Sequence, residues 1–256
     1  MTMNDFLLKE NERIDDLQFM NLKIIQSPDA FRFGMDAVLL ADFARARKGC
    51  RVCDLGTGTG ILPLLLYGRT GGIACDAVEI QPDAAERAMR SMQLNGLEDK
   101  IRIHNRDLKE IRQFLPHSAF DLVICNPPYS PQRASLPSPK PSLRTARQEG
   151  ECTLEDVAAA AAWALKSRAR FSLMLPSARL TDAFDTLRHF RLEPKRLRLV
   201  HANETRPARL ALIEAMKDVN PGLIAEAPLI VKNLDGTDTQ EVLRIYHLLP
   251  ETEGKT

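Results

Sequence analysis

The stretch CRVCDLGTGTGILPLLLYGR, residues 50–69, limits what this chain can become. An apolar run of strand length ends at a loop holding Gly56, Gly58 and Gly60, and an apolar run of helical length follows at once. A strand that meets a helix through so short a glycine turn must reverse over the end of a sheet, the opening move of a βαβ unit. The pattern then repeats. IACDAVEI (73–80) reads as a strand, and Pro82 opens a polar-faced helix to about Asn95. KIRIHN (100–105) alternates as a strand does, DLKEIRQFL (107–115) suits a short helix, and FDLVIC (120–125) is a fourth strand. TLEDVAAAAAWALK (153–166) is a helix opened by Thr153 with Asp156 three residues on, a capping box. RFSLMLP (170–176) is a fifth strand, with a helix around 179–190. Alternation of this kind predicts an α/β fold with a doubly wound, mostly parallel, seven-stranded sheet of Rossmann-like form. Three late runs, 209–217, 227–233 and 243–249, read as strands without intervening helices and are expected to add antiparallel C-terminal edge strands.

Composition narrows the class. The chain has 256 residues, 44% of them hydrophobic, which suits one domain with a small appendage. A net charge of +1 creates no global field. Five scattered cysteines form no disulfide framework, and Cys50 with Cys53 lacks the second pair that a zinc site needs, so a reducing cytoplasmic setting and no metal are expected. No apolar run approaches the length of a membrane span, and the polar, acidic start is unlike a signal peptide. No feature calls for an assembly beyond a monomer.

Ligands of such sheets bind beyond the C-terminal ends of the central strands. Two motifs stand there. In DLGTGTG the glycines are spaced G-x-G-x-G, one residue shorter than a dinucleotide fingerprint, and Asp54 stands two positions ahead of Gly56. A carboxylate there repels pyrophosphate and suits a cofactor with an amine and a positive centre. Glu79 ends the second strand, where an acid can accept ribose hydroxyls, and Asp107 opens the helix after the third. The set, with Thr57 inside the loop, points to S-adenosylmethionine (SAM). The second motif is NPPY, Asn126 to Tyr129. The Asn126 side-chain carbonyl and the Pro127 backbone carbonyl can accept both hydrogens of an exocyclic amine and stabilise charge developing on its nitrogen. The prolines hold the carbonyls in place, and Tyr129 can stack on a flat acceptor beside Pro128.

These residues resemble class I SAM-dependent methyltransferases that act on amines. Beyond DLGTGTG, IHNRDLKEI and FDLVICNPPY, the stretch 11–44 is similar to the N-terminal signature of the bacterial tRNA1(Val) adenine-N6-methyltransferase family. ARQEGECTLEDV (146–157) and PARLALIEAMK (207–217) look like that family too, so the resemblance runs from about Asn11 to Tyr246. It implies methylation of the exocyclic N6 amine of the adenine just 3′ of a tRNA anticodon. It implies SAM held by Asp54, Gly56, Gly58, Glu79 and Asp107, and the target base at Asn126 and Tyr129. It brings Gly34 and Asp36 near the cofactor under an N-terminal extension, residues 1–35, that covers the site of a methyltransferase domain spanning 36–256. Met35 departs from the family, which commonly has threonine there.

An RNA partner has support in charge. Residues 166–217 hold twelve Lys/Arg against five Asp/Glu, and the loop 130–151 adds Arg133, Lys140, Arg144 and Arg147 against Glu149 and Glu151. Both are expected on the active-site side, as a substrate-binding patch for phosphates. Other acceptors suit NPPY as well: the N2 amine of guanine in ribosomal RNA, or the N5 amide of a protein glutamine. A glutamine methyltransferase would carry a larger helical domain ahead of the first strand than the roughly forty residues present. A non-catalytic RNA-binding module and a nicotinamide oxidoreductase are the readings from other classes.

Overall fold

The structure is a computed structural model that describes residues 8–27, 34–127 and 152–249. It opens with a hairpin, β1 (Arg13–Asp16) and β2 (Lys23–Gln26), and a helix, α1 (Met35–Phe43). The alternating core follows: β3 (Arg51–Leu55), α2 (Ile61–Thr70), β4 (Ala74–Glu79), α3 (Pro82–Leu94) and β5 (Ile101–Asn105). A 3-10 turn (Leu108–Gln113) leads to β6 (Phe120–Cys125). Next come α4 (Leu154–Ala164), β7 (Leu165–Pro176), α5 (Leu180–His189), β8 (Leu192–His201) and β9 (Ala208–Lys217). Two-residue strands β10 (Ile224–Ala225) and β11 (Leu229–Ile230), and a last helix α6 (Gln240–Ile245), complete the described chain.

Seven long strands make the sheet in the order β5-β4-β3-β6-β7-β9-β8, with β10 and β11 beside β8. All run parallel to β3 except β9. The mostly parallel, doubly wound sheet therefore stands. The chain winds outward from β3 through β4 to β5, then crosses back to β6, so the topological switch falls between β3 and β6. One face packs α1, α2 and the hairpin around Leu40, Leu64, Ile24 and Ile124. The other packs α4 and α5 around Phe120, Phe171, Ala161 and Leu187. The run AAAAA in α4 lets that helix lie close on β6 and β7, and the Thr153–Asp156 capping box starts it as expected.

The C-terminal third differs from the sequence reading. The run 209–217 is antiparallel, but it lies inside the sheet, paired to β7 on one side and β8 on the other. The sequence analysis has no strand at 192–201. Charge disguises it: Arg196 is buried, donating to Glu226 Oε1 at 2.7 Å, to Glu214 Oε2 at 3.1 Å and to the Phe43 carbonyl at 3.3 Å, with its guanidinium 4.2 Å from the Phe43 ring. A buried guanidinium so fully satisfied can occupy a strand position that hydropathy alone would reject. The run 227–233 supplies only the short β11, parallel to β8. The run 243–249 is not a strand. Thr239 accepts the Val242 amide, and Val242 and Ile245, three apart, bury one helical face.

The hairpin is fixed to α3. The Ile25 amide donates to Ser91 Oγ and the Lys23 amide to Asn95 Oδ1. Glu12 receives Arg87 and Arg90. Phe19 lies over Gly68, where an added Cβ would stand 2.6 Å from the ring, and stacks on His247 with centroids 3.9 Å apart.

The Arg90 guanidinium, above the other partners, holds the Glu12 carboxyl down to about 2 against the opposing effect of burial. A depressed carboxylate stabilises the fold fully above its unfolded pKa and loses that contribution as pH falls through the folded one. Glu12→Gln should therefore lower stability at pH 7 by about 2 kcal/mol, since it removes the carboxylate that Arg87 and Arg90 share, although Arg90 keeps Glu86. The gap to wild type should shrink as pH drops from about 4.5 toward 2. Urea unfolding of both proteins at pH 7 and pH 3 checks both points; an equal gap at both values would exclude the ionic anchor.

Candidate functional site

β3 and β6 are neighbours, with Asp54 paired to Ile124. Each strand therefore delivers its motif to the same edge, Gly56 two residues beyond that pair on one side and Asn126 two beyond on the other. The glycine loop and the start of NPPY, separate in sequence, share the switch point. Asn126 and Pro127 are half-buried there. Pro128, Tyr129, Arg133, Arg144 and Arg147 lie outside the described residues.

The loop's backbone decides what it can hold. The amides of Gly56 and Thr57 both donate to the Val78 carbonyl, at 2.9 and 3.0 Å. The Gly58 amide donates to Glu79 Oε2 at 2.8 Å, and that of Gly60 to the Thr57 carbonyl at 3.0 Å. In a phosphate loop such amides point at the ligand. Here four are consumed within the protein, and the loop leans on β4 instead. Gly58, at φ 57°, has no described residue within 4 Å of where a Cβ would be, so among the described residues its outer side is open. Gly60, at φ 83°, serves packing: an added Cβ would meet Met92 Cε at 2.7 Å.

Two carboxyls lie against this loop. Asp54 is fully buried, and neither oxygen makes a well-aligned hydrogen bond among the described residues; the buried Thr57 hydroxyl is the donor close enough to oppose a rise in the Asp54 pKa. Burial, with Glu79 adding like charge, pushes the Asp54 carboxyl up to about 7. Glu79, 6% exposed, is also raised by burial, although the Gln81 and Gly58 amides on its two oxygens oppose the shift. Each Glu79 oxygen keeps a lone pair for a further donor. Asp107 caps the 3-10 turn, its Oδ1 taking the Lys109 amide at 2.9 Å. These features fit SAM: buried, raised carboxyls favour a ligand that brings positive charge and hydroxyl donors, and the open side of the glycines gives it room.

The sequence analysis overlooked Ile80 and Asn105. Ile80 follows Glu79 and is 52% exposed, an apolar surface at the strand end. Asn105 Nδ2 donates to the Glu79 and Ile80 carbonyls and fixes that strand end. An apolar residue directly after a strand-end acid was the available signal. Asp36 sits half-buried in the first turn of α1, its carboxyl raised by burial, and Gly34 caps that helix through its carbonyl. Helix α1 packs on α2 and β7, apart from the Glu79 side of the loop.

The basic segment does not lie wholly on the active-site side. Lys166, Arg168 and Arg170 stand at the start of β7, Arg191 and Lys195 near the start of β8, and Lys217 at the end of antiparallel β9. All of these occupy the opposite edge of the sheet. Arg198 stands level with Asn126 by register but is paired with Glu241, while Arg179, Arg206 and Arg209 lie beyond the strand ends on that edge. Reversal of β9 splits the cluster, which no count along the chain could reveal. Among the described residues no group of three or more His, Cys, Asp or Glu could hold a metal ion, and no helix is long and apolar enough to cross a membrane.

The chain has relatives among known proteins. Residues 16–139 match the methyltransferase small domain family. The chain is 33% identical over 159 residues to a tRNA1(Val) (adenine(37)-N6)-methyltransferase of Tolumonas auensis, covering 62% of this chain and 65% of that protein. It is 31% identical over 189 residues to the enzyme of that name from Porphyromonas gingivalis, covering 72% and 73%. In structure it is similar to a predicted O-methyltransferase of Agrobacterium tumefaciens, with a TM-score of 0.69 and 23% identity over 83% of this chain and 95% of that one. The chain belongs to the tRNA1(Val) (adenine(37)-N6)-methyltransferase family.

Proposed function

We propose that the chain is an enzyme that methylates the exocyclic N6 amine of an adenine in tRNA, beside the anticodon, using SAM. The observation that carries the cofactor half is the glycine loop, three of whose amides are spent on β4 while two raised carboxyls stand beneath it. The relatives' names support the acceptor half. All five cysteines are free, which with a tRNA substrate supports a cytoplasmic location.

When bound, SAM supplies a methyl carbon on a sulfonium, open to in-line displacement. The chain's residues do the rest. Glu79 accepts the ribose hydroxyls with its remaining lone pairs, and Ile80 offers the adenine ring an apolar face. Gly56, Thr57, Gly58 and Gly60 shape the cradle, and Asp107 meets an adenine edge. Asp54 answers the positive charge, while Gly34 and Asp36 close the cradle from the α1 side. The N-terminal extension, residues 1–35, covers the cofactor; its described part is already anchored along α3. At the acceptor, an adenine amine is a weak nucleophile because its lone pair is delocalised into the ring. The Asn126 Oδ1 and the Pro127 carbonyl accept its two hydrogens, favour a pyramidal nitrogen and stabilise the charge that grows as the N–C bond forms and the methyl–sulfur bond breaks, its electron pair going to sulfur; the methylated nitrogen then loses one of its protons to solvent. Tyr129 stacks on the base and Pro128 stiffens the turn, with Arg133, Arg144 and Arg147 drawing phosphates.

The direct test is transfer of labelled methyl to unmodified tRNA, ribosomal RNA, duplex DNA and release-factor protein. N6-methyladenosine in digested tRNA is the expected product, and label in a different pool would replace this acceptor.

Asn126→Ala should lower kcat by on the order of 10²–10³, the usual loss for one preorganised partner of a developing charge. Calorimetry should find its SAM affinity within about twofold of wild type. Full turnover in the variant would remove the clamp. A second expectation concerns pH. With its carboxyl near 7 in the ligand-free chain, Asp54 is neutral below that value and charged above it. Binding of the cationic ligand should therefore weaken below pH 7, by up to about tenfold per unit. In Asp54→Asn that slope should vanish and affinity should be low throughout. Titrations from pH 5.5 to 8 on both proteins decide it, and matching slopes would clear Asp54 of this role.

A further inference from the structure

Charge pairing separates the twelve basic residues of 166–217 more sharply than position does. Six stand in ion pairs with carboxylates, among them Lys166 with Asp121, Arg191 with Asp218 and Arg198 with Glu241. Lys195 and Lys217 donate to backbone carbonyls. The four that remain, Arg168, Arg179, Arg206 and Arg209, have no such partner among the described residues. Arg168 belongs to the far edge. The other three are exposed and stand on the edge that carries Asn126, on the β7–β9–β8 side of it.

Their backbones are tied together. Arg179 ends the 3-10 turn that follows β7, and Ser177 Oγ in that turn donates to the Ala208 carbonyl at 2.6 Å, next to Arg209. His201 Nδ1 lies 2.7 Å from the Arg206 carbonyl, closing the turn between β8 and β9. The one opposing charge in that turn is the exposed Glu204. Three exposed guanidiniums held on short, anchored segments, without carboxylate partners among the described residues, make a surface suited to phosphate oxygens, which arginine recognises in bidentate fashion.

We propose that Arg179, Arg206 and Arg209 form a phosphate-binding strip that seats the RNA backbone flanking the target adenine. The proposal rests on the tRNA reading above. Glu79 and the cofactor cradle lie on the β3–β4 side of the switch point, so RNA entering at Asn126 must run the other way, over the ends of β7, β9 and β8. The strip lies along that path. An RNA held there is registered by its phosphates, while the base alone enters the site.

The test compares wild type, a triple variant R179A/R206A/R209A, and a charge-matched control R168A/R188A/R191A on the far edge. Each is titrated with unmodified tRNA across a series of salt concentrations, alongside SAM binding and thermal unfolding. Loss of three phosphate contacts should flatten the slope of log affinity against log salt by about two to three and weaken binding at 0.1 M salt roughly tenfold or more. The control should follow wild type, and SAM affinity should stay unchanged in all three proteins. The single variant Arg206→Glu, in an exposed turn, should weaken tRNA binding in the same direction should the triple variant unfold. A triple variant that binds tRNA with the wild-type slope overturns the strip while leaving the methylation reading intact. Strip-dependent tRNA binding without methyl transfer to adenine would keep the strip and overturn that reading. Wild type that binds no tRNA, or binds acidic protein or anionic vesicles instead, overturns the strip.

Discussion

The hydrogen bond from the Gly58 amide to Glu79 does more to define this protein than any single packing contact. It joins the loop after β3 to the end of β4, and with the two amides on the Val78 carbonyl it turns the loop's donors inward. The loop thereby gives up the anion-binding habit of its shape. What the loop leaves available is acid rather than amide: Glu79 with a lone pair to spare on each oxygen, and Asp54 buried beneath, with no well-aligned donor among the described residues. Burying two carboxyls side by side is unfavourable for the empty fold, because neither ionises without opposing the other. A ligand that carries positive charge relieves that opposition, so the cradle selects its cofactor by electrostatics as much as by shape.

The rest of the edge is built outward from this point. Register between β3 and β6 carries Asn126 level with the loop, and Asn105 pins the strand end from which Ile80 projects. The hairpin and α3 back the cradle from behind. Gly60 allows α2 to start tight against Met92 of α3, and Glu12 fastens the hairpin to the same helix. The switch point thus divides the edge, with acids on the β4 side and, beyond β7, arginines that have no carboxylate partner among the described residues.

Much of this was legible in the sequence because it is local. The G-x-G-x-G loop, the acid at the end of β4 and the capping box of α4 each depend on residues a few positions apart, and each stands where the pattern indicated. The misreadings share a different cause. β8 hid behind Arg196 and Arg198, whose charges are neutralised by Glu214, Glu226 and Glu241, partners 18 to 43 positions away. The late helix α6 was mistaken for a strand because its apolar content outweighed the cap at Thr239. Which edge a basic residue occupies depends on strand direction, and the reversal of β9 cannot be read from the composition of the segment that contains it.

That reversal also orders events in time. β9 pairs with β7 on one flank and β8 on the other, yet β8 precedes it in the chain. During synthesis from the N-terminus, β8 emerges with its apolar side chains and the guanidinium of Arg196 before the strand that will pair with it exists. It reaches the sheet only through residues 208–217, with which it pairs as an antiparallel hairpin, so the edge of β7 stays unpaired until that hairpin is in place.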